Sequence, residues 1–340
     1  MGSAELDRHD PSNGEPTVKV SILFAAQADG VADLKLYGRL AEQQSCRLWI
    51  GQSLLVESHQ LFAALAGSGM SIDVGISVAI APLRTPYDAA VQARSLAKLM
   101  RRSVSVAYGI GTPAFAETLN AAAGSTPGSF TREYVRDVKS LVNGAGINSE
   151  GPNPVRLYPM DAPSVEIGCG LLRPRMAVKA GAVADFVVTW LTPKSYLHNV
   201  LMPELQRGAD SENRERPRVV AILQCAIAAD TRNPVQLSYV GYSGHLQQPH
   251  YRDMLAKAGA VLTGEIANDV RATLKTGIFA YGSASEIADE IRTYADIGVD
   301  EVVLNMVGVA AVEGHQAAID DMKQVMDCLE SRTTTGAKNE

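Results

Sequence analysis

The stretch "DVGISVAIAPLRTPYDAAVQARSLAKLM", Asp73 to Met100, joins an apolar run directly to a helical pattern. Residues 73–81 show no polar alternation, as expected of a parallel strand covered on both faces. Thr85 is placed to cap a helix and Pro86 to occupy its first position. Ala89, Ala93, Leu96, Ala97 and Met100 then share one face at helical spacing. The stretch reads as one complete βα unit.

The same alternation recurs along the chain. Strand-like runs at 18–26, 46–52, 104–110, 164–170, 185–190, 218–227 and 300–308 bring the count to eight. In "SASEIADEIRTYADIG", Ser283 and Glu286 have the spacing of a capping box and Gly298 supplies a C-terminal stop. Eight such units in 340 residues fit an α/β fold of the (β/α)8 TIM-barrel type, spanning residues 17–330 as a single domain. Flexible ends are expected at 1–16 and 331–340, and a doubly wound sheet with a second domain is the alternative. Insertions are expected after strands four and seven. "NGAGINSEGPNPVRLYPMDAP", residues 143–163, reads as an irregular excursion before strand five. Residues 230–282 read as a long loop, a natural lid if it lies over the catalytic face, carrying Tyr239, Tyr242, His245 and His250.

Composition narrows the function. The chain is 46% hydrophobic and 20% charged with a net charge of −6, and its Lys and Arg residues are scattered, which argues against nucleic acid or an anionic membrane as partner. No run reaches the roughly 18 apolar residues of a membrane span. The four cysteines, Cys46, Cys169, Cys225 and Cys328, are far apart with no C-x-x-C, so no disulfide framework, zinc cluster or other metal site is indicated. A cytoplasmic location is expected.

"VAYGIGTPAFAE", residues 106–117, matches Gly-x-Gly-x-x-Ala at Gly109, Gly111 and Ala114. A dinucleotide fingerprint belongs in the first βα unit, with an acidic residue about 20 positions on, and neither condition holds. Pro113 also removes a backbone N–H that a pyrophosphate would use.

Several segments together resemble the luciferase-like monooxygenase superfamily. They are "CRLWIGQSL", "ISVAIAPLRTPYDAAVQARSLAKL", "AYGIGTP", "RPRMAVKAGAVADFVVTWLTP" and "YGSASEIADEIRTYADIGVDEVVL", in that order over residues 18–327. The resemblance implies a (β/α)8 barrel that binds FMN or the 8-hydroxy-5-deazaflavin coenzyme F-420. The strand-two ending and the compact chain are more similar to the F-420 reductase branch. The implied activity is hydride transfer between that coenzyme and a small-molecule or peptide substrate, such as reduction of an activated double bond in secondary metabolism. An FMN-dependent monooxygenase and a non-catalytic, dimerising barrel are the alternatives. A homodimer is expected, paired through the apolar face of residues 86–100.

The resemblance also assigns residues. Gly109, Gly111 and Thr112 would lie at the end of strand four against the cofactor. Deazaflavin-binding relatives often carry a bulge with a non-proline cis peptide after strand three, and Ser77 and Val78 match that position. The phosphate would sit at the helix start after Gly168 and Gly170, near Leu172, Arg173 and Arg175, where helix N–H groups and a guanidinium suit an anion. Relatives use small residues there, so Leu172 and Arg173 depart from the pattern. At the end of strand two, where relatives place a His or an acid, this chain has Gln52 and Ser53, which take the catalytic positions without a ready proton donor. Glu57 and His59 follow as helix residues. Glu166 is placed at strand five's mouth or inside the barrel. Trp49, Trp190, Asn305 and Met306 read as either core or ring wall, Cys169 and Cys225 as inert core, and His9, His198 and His315 as uninformative.

Overall fold

The computed structural model describes residues 17–118, 126–148 and 151–336. Its nine strands are β1 Lys19–Leu23, β2 Leu48–Ile50, β3 Val74–Ile80, β4 Val104–Gly109, β5 Val165–Leu171, β6 Phe186–Trp190, β7 Arg218–Ile227, β8 Phe279–Gly282 and β9 Glu301–Asn305. All their pairings are parallel. β1 to β7 pair in sequence, and β9 pairs with both β7 and β1, which closes an eight-stranded barrel. The eight runs read from the sequence are its eight strands. β8 extends the far end of β7, where Gln224 pairs with Phe279 and Ile227 with Gly282; this four-residue strand is too short to stand out by pattern.

Helices cover the outside, and their starts follow the sequence signals. Thr85 accepts the Asp88 N–H at the head of Pro86–Met100, and Ser283 and Glu286 form a reciprocal capping box at the head of Ala284–Asp296. Gly298, at φ +80°, follows that helix in the left-handed conformation of a stop.

Alternation along the strands sends every second side chain into the barrel. At the N-terminal end these are charged. Arg218 Nη2 and Ser105 Oγ donate to Glu166 Oε2 at 2.7 and 2.6 Å, and Arg47 and Arg218 both pair with Glu301. Burial pushes Glu166 up, but Arg218 and Arg47 outweigh it and hold its carboxyl below the usual range. Glu166 is therefore a structural charge inside the barrel, at the end away from the mouth. Above it, Trp49 Nε1 donates to Glu301 Oε1 at 2.7 Å, and the indole lies where a Cβ on Gly75 would stand 2.2 Å from Trp49 Cε3. Gly75 is thus the space that lets a tryptophan cross a narrow barrel. Trp49 packs edge-on to Phe186 in an inner cluster with Leu23, Ala107, Val220 and Val303.

The expectations for residues 230–282 and for the apolar face of residues 86–100 are corrected. Residues 230–282 are not an open loop: they form the helices Pro234–Leu246, Pro249–Lys257 and Ile266–Leu274 before β8. Asn233 caps the first, and Pro234 and Pro249 stand in the first turn of the first and second. The 143–163 excursion follows the helix Pro127–Val142 and so lies at the N-terminal end of β5; the Tyr158 and Asp161 carbonyls accept from Arg94 and Lys98 on the outside of Pro86–Met100. The apolar face of that helix, Ala89, Ala93, Leu96, Ala97 and Met100, is buried in its own chain and cannot be shared with a second copy. The tail from residue 331 continues the helix His315–Gly336 as far as it is described. Residues 1–16, with His9, and residues 337–340 lie outside the described residues. No helix among the described residues is long and apolar enough to cross a membrane.

Candidate active site

At the C-terminal mouth the strand-three bulge decides the floor. The register of β3 against β4 shifts between Ser77 and Ala79, and the Ser77–Val78 peptide bond is cis. Val78 is turned toward the inner cluster. A Cβ on Gly109 would stand 3.1 Å from Val78 Cγ2, and one on Gly170 3.0 Å from Val78 Cγ1. The valine thus crosses the ends of β4 and β5 on ground that two glycines leave open, and it presents a branched apolar surface to the mouth. Ser77 Oγ is buried beside it with no hydrogen-bond partner among the described residues.

Gln52 is tied to the same bulge. Its Oε1 accepts the Ile80 N–H at 3.3 Å and Arg84 Nη2 at 3.4 Å, and its Nε2 donates to Ser53 O at 3.0 Å. Two donors on one side fix the amide orientation and leave the second N–H of Nε2 as the group it can offer. Arg84 is in turn held by Glu57 Oε1 at 3.2 Å and Gln92 Oε1 at 2.8 Å. Glu57 caps the helix Ser58–Gly67, and its Oε1 lies 2.8 Å from His59 Nδ1. Burial pushes Glu57 up, but His59 and Arg84 more than offset it, and its carboxyl falls to about 2. Glu57 and His59 are helix residues as expected, yet they form the support behind Gln52. Ser53 does different work. Its hydroxyl donates to Ala28 O at 2.8 Å and accepts the Leu55 and Val56 N–H groups, so its bonding capacity is spent on the loop.

The other assigned residues divide. Gly111 takes φ +79°, and Thr112 Oγ1 accepts the Phe115 N–H at 3.2 Å, so the "GIGTP" turn needs its glycine and uses its threonine to open a helix. Gly168 lies within β5, paired with Phe186 rather than at the strand end. The helix Pro174–Gly181 starts where expected, with Leu172 partly buried just before it. Arg173 and Arg175 are exposed at that start, and Arg173 pairs with Asp253 at 3.6 Å, from the second helix of the 230–282 insertion.

That insertion packs against the opposite wall of the mouth. His245 lies 5.3 Å from the Trp190 ring and 5.2 Å from Tyr251, which in turn neighbours His250. Burial, then the charge of His250, pulls His245 down to about 4, so it is neutral near pH 7. Tyr242 is buried with its hydroxyl on Thr273, whereas Tyr239 is exposed. Three N–H donors on this wall, Trp190 Nε1, Gln224 Nε2 and Asn305 Nδ2, are buried without partners among the described residues. A buried donor left so costs about 1–3 kcal/mol. Sequence pattern alone does not single out Gln224 or Arg84. The visible signals were a lone amide in the run "RVVAILQCAI" and a lone cation between two prolines in "PLRTP". Burial pushes the Cys169 and Cys225 thiols up to about 12, which makes them inert; Met306 is core and His198 exposed.

The sequence profile described as luciferase-like monooxygenase matches residues 12–301. The chain belongs to that family. Solved structures with the luciferase-like fold superpose over almost the whole chain. An F-420-dependent secondary alcohol dehydrogenase, in complex with an F-420–acetone adduct, aligns at TM-score 0.70 and 16% identity, covering 92% of this chain and 99% of that one. The coenzyme F-420-dependent tetrahydromethanopterin reductase of Methanopyrus kandleri aligns at 0.67 and 17%, covering 92% and 99%. A long-chain alkane monooxygenase aligns at 0.65 and 14%, covering 93% and 92%. No curated protein matches the sequence. The luciferase-like mouth of this chain fits a flat flavin-type ring, because a supported apolar face at Val78 and the buried, unpartnered Ser77 hydroxyl beside it occur together.

Proposed function

We propose that this luciferase-like enzyme is an oxidoreductase that uses the deazaflavin coenzyme F-420 to pass a hydride to an organic substrate, in preference to FMN and oxygen. The observation that carries the reading is Val78, held across Gly109 and Gly170, where it would wall one ring face. A deazaflavin has carbon in place of the central flavin nitrogen, and when bound it supplies a hydride as a nicotinamide does. The chain's own part is orientation. Val78 would back the ring, Gln52 offers a donor whose direction Ile80 and Arg84 fix, and the helices of 230–282 pack His245 against Trp190 at the mouth. Glu57 and His59 stand behind Gln52 with their facing atoms turned to Arg84 and to each other, which suits a reaction whose proton comes from solvent. Arg173 and Arg175, exposed at the start of the helix Pro174–Gly181, would meet an anionic coenzyme tail.

An oxygen electrode tests this. Reduced F-420, protein and an enone substrate are expected to give product without oxygen uptake; substrate-dependent oxygen consumption with reduced FMN alone would favour the monooxygenase reading.

A further inference from the structure

Trp190, Gln224 and Asn305 stand on adjoining strands. Gln224 of β7 is the register partner of Asn305 of β9, and Trp190 of β6 pairs with Ile222, two residues before Gln224. Alternation with Val220, Ile222 and Val303, which line the barrel interior, turns Gln224 and Asn305 inward, and Trp190 packs on the same inner cluster. Gln224 and Asn305 are 2% and 1% exposed. Asn305 Oδ1 accepts the Val307 N–H at 3.0 Å, which fixes the amide so that its NH2 is the unpartnered end. Strands lie about 4.8 Å apart, so the two amides are neighbours. None of the described hydrogen bonds or ion pairs sets a Lys or Arg against any of the three side chains, and the nearby His245 is neutral near pH 7. The wall is therefore rich in donors and uncharged.

We infer that Trp190, Gln224 and Asn305 form a subsite for an uncharged acceptor oxygen of the substrate, a ketone or amide carbonyl conjugated to the bond that is reduced. This rests on the hydride-transfer reading and adds the substrate class. When hydride from the reduced coenzyme forms the new C–H bond, the π bond of the acceptor breaks and its electron pair moves through the conjugated system to this oxygen. A proton from solvent completes the product. Donors already aimed at that oxygen bind the developing charge more strongly than the neutral carbonyl, which is the differential stabilisation that lowers a barrier. A carboxylate or phosphate in the same place would arrive with no counter-charge.

The test is a titration with cyclohexenone, a small unsaturated ketone, and with cyclohexene, its counterpart without oxygen, on 15N-labelled protein with and without coenzyme. The chain has two tryptophans, and Trp49, whose indole N–H already donates to Glu301, is the internal reference. Cyclohexenone is expected to shift the Trp190 indole N–H resonance downfield while cyclohexene and the Trp49 signal show no such change. Gln224→Met and Asn305→Asp, the second retaining the oxygen that accepts from Val307, should each weaken cyclohexenone binding about tenfold or more and change coenzyme affinity by less than about twofold. Absence of a ketone-specific Trp190 shift in the wild type overturns the proposal, as does a loss of coenzyme affinity in the variants with ketone binding intact. Failure of F-420 to bind while the ketone response persists would reject the cofactor reading and leave the subsite standing.

Discussion

Arg84 and Gln52 are joined across the mouths of β3 and β2, Nη2 to Oε1 at 3.4 Å, and this contact sets which end of the Gln52 amide faces the site. Replacing Arg84 by Met should leave the Gln52 oxygen held by the Ile80 N–H alone and remove the cation that Glu57 faces. The Glu57 carboxyl should then titrate above its present value of about 2, since one of the charges holding it down is gone. Carbon-detected NMR of the carboxyl reads this. An unchanged Glu57 titration would mean that His59 alone sustains the cluster.

Val78 depends on two missing side chains. Gly109→Ala would place a Cβ 3.1 Å from Val78 Cγ2, so the valine has to give way. Coenzyme binding should weaken about fivefold or more, with the unfolding midpoint nearly unchanged. Gly111→Val is a poorer probe, because a β-branched residue at φ +79° is strained wherever it points. Normal binding by Gly109→Ala would detach the Val78 wall from the cofactor.

Stability should fall as the solution is acidified from neutrality. His245 in the folded state titrates near 4 rather than 6.5, so between those values the unfolded chain binds the proton and the folded one does not. Stability therefore rises with pH across that window and levels off above it, and the loss from pH 7 to pH 5 is at most about 2 kcal/mol from this group. Glu57, also depressed, adds a second loss lower down, between about 4.5 and 2. Urea unfolding of wild type and His245→Phe at both pH values checks the first step. Equal pH dependence in the two proteins would show that His245 contributes nothing to it.

The barrel was legible because its strands are continuous apolar runs and its helices carry caps. The Ser283–Glu286 box and the Thr85–Pro86 start appear in the structure as the sequence predicts them. Residues 230–282 differ from the expected loop because Asn233 caps a helix and Pro234 and Pro249 each stand in a helix's first turn. Long-range pairing was invisible. Nothing local tells that Glu166 meets Arg218, that Gln52 meets Arg84, or that Ser53 is consumed by Ala28. The cis bond at Ser77–Val78 likewise has no signature in the residues themselves.

Ser283→Ala separates fold from function. Loss of the capping box should cost about 1 kcal/mol of stability and leave coenzyme affinity unaltered, since the box lies on an outer helix. Denaturant unfolding and a binding titration on one preparation give both values. A parallel loss of affinity would tie this helix to the mouth.

The most direct measurement is equilibrium titration of the purified apoprotein with F-420 and with FMN, each followed by its own fluorescence, at low and high salt. F-420 is expected to bind the more tightly, with an affinity that falls as salt rises and a salt dependence that shrinks in Arg173→Ala/Arg175→Ala, because exposed charges are screened beyond about 10 Å at 0.1 M ionic strength. Tight FMN binding with no measurable affinity for F-420 would contradict the hydride-transfer account.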